Sequence, residues 1–316
     1  MDLVKKLFQG DERSAARLIS LIEEGSSEGF EAIRLIYPHV GSAQKIGITG
    51  SPGAGKSTLT GKLAAILMDE GRHIGVIAVD PSSPEGGGAL LGDRVRMGEA
   101  DKTGRVFIRS MAHRGYPGGI AKAAIGATYI LEGLGKDTII VESIGAGQAE
   151  IQISVLCDTI VTVVTSGYGD EIQLMKTGLI EIGDIIAVNK ADKPGAQEVV
   201  QDISIHFSNT EKNGWKIPVV AVSSLTGEGF ETLKNNISRH FDFLKHADNY
   251  IDKKREHLET LMLSLLKEEI WDRTMNMLNG SEEFKLILDG LKEKRIDPYE
   301  AVRRTSEIAF KHKILV

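Results

Sequence analysis

Residues 50–57 read Gly50-Ser51-Pro52-Gly53-Ala54-Gly55-Lys56-Ser57, which satisfies G-x-x-x-x-G-K-[ST]. No other stretch constrains the fold as strongly, because the pattern works only between a strand and a helix. The neighbours supply both. Lys45–Thr49 is a short apolar run before it, and Ser57–Glu70 is a helix-forming run after it. The residue types follow from the ligand they suit. A nucleotide β-phosphate is held by backbone N–H groups, so side chains must stay clear of the wrap, and Gly50, Gly53 and Gly55 allow this. Ser51, Pro52 and Ala54 complete the loop. The helix starting near Lys56 points its positive dipole end at the phosphate. Lys56 brings a charge to the β- and γ-oxygens, the Ser57 hydroxyl suits Mg²⁺, and Thr58 is placed for the α-phosphate.

Around this motif, short apolar runs alternate with amphipathic segments. The runs are Lys45–Thr49, Ile74–Val79, Val106–Ile108, Thr138–Val141, Thr159–Thr165, Asp184–Val188 and Ile217–Val222. Most are apolar on consecutive positions, as strands buried on both faces of a parallel sheet are. Lys56–Glu70 and Gly119–Glu132 fit the crossover helices between them. The expected fold class is therefore α/β: a P-loop NTPase with a mostly parallel central sheet flanked by helices. The expected division is residues 1–43, an N-terminal helical extension; 44–245, the nucleotide domain; and 246–316, a C-terminal helical segment. In the first part Asp11 is placed to cap a helix running to Glu24, and a second helix ends before Pro38. In the last, Leu258, Leu261, Met262, Leu265, Leu266 and Ile270 keep helical spacing. That stripe serves either to pack on the α/β domain or to pair two subunits. Glycine follows the same division: 22 of the 35 glycines lie between residues 41 and 147, and two lie beyond residue 230.

Base recognition is read further along. Asn189-Lys190-Ala191-Asp192 follows the apolar run ending at Val188, and in GTPases an N-K-x-D sequence there reads guanine. Asp192 accepts from the base's N1–H and exocyclic amine, Asn189 supports the loop, and the Lys190 stem packs along base and ribose. Adenine lacks both donors and would leave Asp192 unpaired, which gives strong discrimination. Ser223-Ser224-Leu225 fits the second base-contacting loop. Three acids follow strand-like runs: Asp80, Asp93 and Glu142. A carboxylate at a strand end beside such a loop holds Mg²⁺ directly or through water.

Bulk properties exclude other classes. With 38 basic and 44 acidic residues the net charge is −6, so nucleic acid is not an expected partner. The single cysteine, Cys157, rules out an internal disulfide and a cysteine-based metal site. Met1–Gly10 has no apolar signal core, and no apolar stretch approaches the ~20 residues that span a bilayer. The expectation is a cytoplasmic protein with no membrane partner.

Taken together, these stretches resemble the MeaB/ArgK family of P-loop GTPases, the methylmalonyl-CoA mutase-associated GTPases. The resemblance is carried by GITGSPGAGKST (47–58), VDPSSPEGGGALLGDRVRM (79–97), RGYPGGIA (114–121), ESIGAGQAE (142–150), NKAD (189–192) and SSLTGEG (223–229). It implies GTP/GDP and Mg²⁺ as ligands, with Asp80, Asp93 and Glu142 as the metal-site acids. Glu142 takes the place where most small GTPases carry aspartate, and Gly145 presents its N–H to the γ-phosphate. The loop 81–98 corresponds to the first switch. Residues 166–176 correspond to a loop that responds to the partner enzyme, with Asp170, Gln173 and Lys176 at its functional positions. The resemblance further implies a homodimer that chaperones an adenosylcobalamin-dependent mutase, gating cofactor loading and protecting or rescuing the enzyme, without binding cobalamin itself. The chain departs from the family pattern at Glu85, Gly86, Pro117, Ala146 and Ala149, and none of these removes a charged ligand. Two other classes use the same phosphate chemistry. A P-loop kinase would transfer the γ-phosphate to an acceptor. A metal-delivery GTPase would carry a His- or Cys-rich tract, whereas the eight histidines here are scattered.

Overall fold

The structure, a computed structural model, describes residues 2–81, 105–113, 119–143, 149–165, 180–208, 210–246 and 250–311. Three helices come first: α1 (Asp2–Phe8), α2 (Glu12–Glu23) and α3 (Ser27–Ile36). Asp11 caps α2 by accepting from the Ser14 N–H at 2.9 Å, and Ser26 caps α3 through the Gly29 N–H at 3.1 Å. Each cap satisfies a donor that has no partner inside its helix.

The sheet follows. Its strands are β1 (Gln44–Gly50), β2 (Ile74–Pro81), β3 (Val106–His113), β4 (Thr138–Glu142), β5 (Thr159–Thr165) and β6 (Ile185–Asn189). The helices between them are α4 (Lys56–Asp69), α5 (Gly119–Gly133), α6 (Ala149–Leu156) and α7 (Ala196–Phe207). A small antiparallel hairpin, β7 (Glu211–Lys212) and β8 (Trp215–Lys216), precedes β9 (Val219–Ala221) and α8 (Phe230–His246). The seven-stranded sheet runs β3-β2-β4-β1-β5-β6-β9, and every pairing in it is parallel. After β1 the chain builds β2, β3 and β4 on one side of it and β5, β6 and β9 on the other. The crevice at the C-terminal end of β1 is therefore the place where an open α/β sheet takes a ligand.

Two apolar layers sandwich the sheet, and strand alternation assigns the residues to them. Ile46, Ile48, Ile140, Val161, Val163, Ile185 and Ala187 pack with Leu59, Leu63 and Leu67 of α4 and Phe230, Leu233 and Ile237 of α8. Val164, Ile186 and Val188 point the other way, into a second cluster with Val199, Ile203 and Phe207 of α7 and Trp215 of the hairpin. The hairpin had no expectation in the sequence reading, although Asn213-Gly214 is a strong two-residue turn and both residues have positive φ. Strand β9 is shorter than the run Ile217–Val222, because Pro218 has no N–H to give a ladder. Its carbonyl accepts from the Ile186 N–H at 2.9 Å.

The N-terminal helices pack on α5 and belong to the same compact unit as the sheet, which extends to Arg255. A buried carboxylate holds the linker into β1. Glu132 of α5 accepts from the backbone N–H groups of Gly41, Ser42 and Ala43, the last at 2.9 Å, and lies 3.7 Å from Lys45 Nζ. Burial alone would raise its pKa. The three N–H donors and Lys45 outweigh burial and hold it below the ordinary 4.5. A depressed carboxylate stabilises the fold above its unfolded pKa and loses that contribution as pH falls through the folded value. Glu132→Gln is expected to cost about 1.5–3 kcal/mol near pH 7, as charged hydrogen bonds do. The gap to wild type should narrow below pH 4.5. Urea melts at pH 7 and pH 3 test this, and a gap that stays constant refutes it.

Residues from Glu256 onward form a second compact unit. Helix α9 (Tyr250–Leu278) leads into α10 (Glu282–Lys292) and α11 (Pro298–Lys311). Leu278, Ile287, Ala301 and Ile308 form a small core there, with Met275, Phe284 and Leu291 against it. The stripe noted in the sequence is largely outside this core: Leu258, Met262, Leu266 and Ile270 are exposed in the single chain, as are Leu263 and Trp271.

Candidate nucleotide site

The phosphate loop leaves β1 at Gly50 and enters α4 at Lys56. Gly50 has φ of 140°, and a Cβ there would sit 2.0 Å from the Val163 carbonyl oxygen of β5. Any other residue at this position must displace the neighbouring strand, so the glycine is required by close approach as well as by conformation. Ala54 is buried, Pro52 and Thr58 are exposed, and Ser51 and Ser57 are half-buried. Lys56 is buried and folds over its own loop. Its Nζ donates to the carbonyls of Gly50 at 2.9 Å and Ser51 at 3.1 Å. The ammonium is thereby held at the mouth of the loop, where a phosphate would meet it.

Strand register sets the carboxylate. Glu142 ends β4 level with Ile48 of β1 and Ala78 of β2, so it shares their face, which is the face α4 covers. Its Oε1 accepts from the Ser57 hydroxyl at 2.6 Å. The two residues expected to hold Mg²⁺ therefore touch, although they lie far apart in the chain. Both are hard oxygen donors, and Mg²⁺ is ordinarily bound by one or two protein oxygens plus phosphate and water, so the pair fits this ion. Asp80 stands in β2 beside Ala112 of β3; its side chain is outside the described residues. Asp93, Gly145, Asp170, Gln173 and Lys176 also lie outside them.

The segments expected to read the base converge on the same loop. Asn189 ends β6 and is buried. Its Nδ2 donates to the Ala54 carbonyl at 2.8 Å, and its Oδ1 accepts from the Ser224 N–H and hydroxyl at 3.2 and 2.9 Å. One side chain thus ties the phosphate loop to the second base loop. Lys190, at φ of 61°, donates from Nζ to the Gly53 carbonyl at 2.9 Å. Asp192 Oδ1 accepts from the Ser223 hydroxyl at 2.5 Å, and that hydroxyl holds the carboxyl below its usual range. Asp192 is therefore an ionised acceptor in a site that also presents an exposed apolar side chain, Leu225. The sequence reading brought these residues to one site by motif. It missed Ser143, whose buried hydroxyl donates to Thr49 Oγ1 at 2.8 Å. Ser143 lies inside the ESIGAGQAE stretch, but neither its spacing nor its chemistry there assigns it a role.

Comparison with known proteins agrees with this geometry. The family profile described as methylmalonyl Co-A mutase-associated GTPase MeaB matches residues 15–279. A Pyrococcus horikoshii protein with a GTPase name is 42% identical over 304 residues, 95% of either chain. The GTPase ArgK of Escherichia coli is 29% identical over 96% of this chain and 95% of its own. Among solved structures, that of an LAO/AO transport system kinase superposes with a TM-score of 0.71 at 23% identity, covering 97% of this chain and 96% of the other. At that identity the likeness concerns the fold.

Proposed function

The chain belongs to the methylmalonyl-CoA mutase-associated GTPase family, and from this membership we propose that it is the GTP-driven chaperone of an adenosylcobalamin-dependent acyl-CoA mutase. It is a P-loop GTPase. What supports the finer reading is the family match over residues 15–279, joined to a site in which Glu142 and Asn189 both bond the loop that carries Lys56. In this reading GTP occupancy gates loading of the mutase's cofactor and protects or reactivates that enzyme, and the chaperone binds no cobalamin itself.

The residues divide the work. Lys56 and the backbone N–H groups of residues 50–57 other than Pro52 hold the phosphates, and Asn189, Lys190, Asp192 and Ser223–Leu225 hold the guanine. Ser57 and Glu142, with Asp80 and Asp93, hold Mg²⁺, which when bound neutralises charge on the β- and γ-phosphate oxygens. Glutamine does not directly follow Gly145, since Gln148 comes three residues later. Without that water-positioning side chain, turnover of the isolated chain is slow, and a positive charge must still stabilise the charge that develops at the γ-phosphate. Lys176 supplies that positive charge when the mutase engages residues 166–176, in which Asp170 and Gln173 match the family's other functional positions. Charges delivered in this way are worth ~10³–10⁵ in rate at most. The exposed face of α9, with Leu258, Met262, Leu266 and Ile270, is the surface on which two copies pair.

The test is GTP turnover with and without purified adenosylcobalamin-dependent mutases. The right mutase is expected to stimulate wild type strongly and Lys176→Ala little. Equal stimulation of both removes Lys176 from the mechanism. No stimulation and no nucleotide-dependent co-elution with any such mutase overturns the chaperone role.

A further inference from the structure

Strand alternation puts Glu142 and Ser143 on opposite faces of the sheet. Glu142 faces α4 and meets Ser57. Ser143 faces away, is 4% exposed, and donates its hydroxyl to Thr49 Oγ1, which is fully buried. Its backbone N–H donates to the Ile48 carbonyl at 2.9 Å. Ser143 is therefore fastened twice, to consecutive residues of β1. Thr49 is the last residue before Gly50. The end of the strand that carries the acid is pinned to the end of the strand that enters the phosphate loop.

We propose that the Ser143–Thr49 hydroxyl pair is a positioning latch that fixes the Glu142 carboxylate against Ser57 and so sets the affinity of the site for the divalent cation. The proposal rests on the reading of Ser57 and Glu142 as the Mg²⁺ ligands. A backbone ladder bond alone fixes the height of Glu142 along the sheet. It leaves the strand end free to twist beyond its last partner, and the side-chain bond removes that freedom. Groups bonded directly to a metal ligand typically cost about 10–100-fold in metal affinity when lost; the Ser143–Thr49 bond acts one step further out, through the strand end that carries Glu142, so the low end of that range is the expected effect.

The readout is Mn²⁺ binding to the GDP-loaded protein, followed by electron paramagnetic resonance, with GDP affinity in chelator measured beside it. Ser143→Ala is expected to weaken Mn²⁺ binding about tenfold while leaving chelator GDP affinity at the wild-type level. Ser143→Thr, which keeps the hydroxyl, is expected to restore it. Thr49→Val should reproduce the loss, and the double variant should be no worse than either single one, since one bond is broken in all three. Unchanged Mn²⁺ affinity in Ser143→Ala overturns the latch. So does an equal loss in Ser143→Thr, or a fall in GDP affinity parallel to the metal loss, because each marks a packing defect. If wild type shows no GDP-dependent Mn²⁺ binding, the metal reading itself fails and the latch with it.

Discussion

Lys56→Ala is expected to abolish productive GTP binding. The ammonium is the only side-chain charge that the phosphate loop itself contributes, and it is held at the loop's mouth by two of that loop's own carbonyls, Gly50 and Ser51. Alanine removes the cation and leaves a ring of backbone dipoles to face a polyanion. Charge-assisted hydrogen bonds to phosphate oxygens are worth about 1.5–3 kcal/mol each. Losing two of them lowers affinity by roughly two to four powers of ten. Lys56→Arg is not expected to rescue it, because a planar guanidinium does not fit where a compact point charge sits between carbonyls. Titration with a fluorescent guanine nucleotide measures the loss, and multiple-turnover phosphate release checks that hydrolysis falls with it. Wild-type affinity and turnover in Lys56→Ala would overturn the assignment of the phosphate loop.

What was legible in the sequence is what repeats or what clusters. The parallel sheet announced itself through runs apolar on consecutive positions, since interior strands such as β5 and β6 are covered on both faces. Phosphate and base motifs were legible because their chemistry needs fixed spacing within a few residues. Glycine also has a use that no motif reports. Gly126 lies on α5 where a Cβ would come 2.9 Å from Ile22 Cγ2, so that glycine lets α2 approach α5 closely. This glycine serves helix packing rather than phosphate. The remainder consists of bonds between residues distant in the chain. Glu132 reaches back to Gly41–Ala43, Asn189 to Ala54 and Ser143 to Thr49. Each depends on which strands and helices become neighbours, and that order is set by topology rather than by any local pattern. Asn189 shows the difference within one motif. Its identity was read from four residues, but its task of joining the two loops appeared only when β6 was placed beside the phosphate loop.

Asp192→Asn is expected to relax the preference for guanine over adenine by about two to four powers of ten, chiefly by weakening GTP. The ionised carboxylate offers acceptors to both donors on the guanine edge, and the Ser223 hydroxyl orients it and holds its pKa further below the ordinary 3.8. An amide presents one acceptor and one donor, so its NH₂ would oppose the exocyclic amine of guanine. Xanthine carries an oxygen at that position, and xanthosine triphosphate is expected to bind Asp192→Asn better than it binds wild type. Loop geometry is not the cause of the change. The asparagine oxygen still accepts from Ser223, and the Asn189 bonds to Ala54 and Ser224 lie on a different side chain. Ser223→Ala separates the two contributions: it removes the support for Asp192 while leaving the carboxylate, so it should weaken all guanine nucleotides without favouring xanthine. Competition among the three nucleotides for a labelled GDP complex gives the answer. An unchanged GTP-to-ATP ratio in Asp192→Asn would show that the base is read elsewhere.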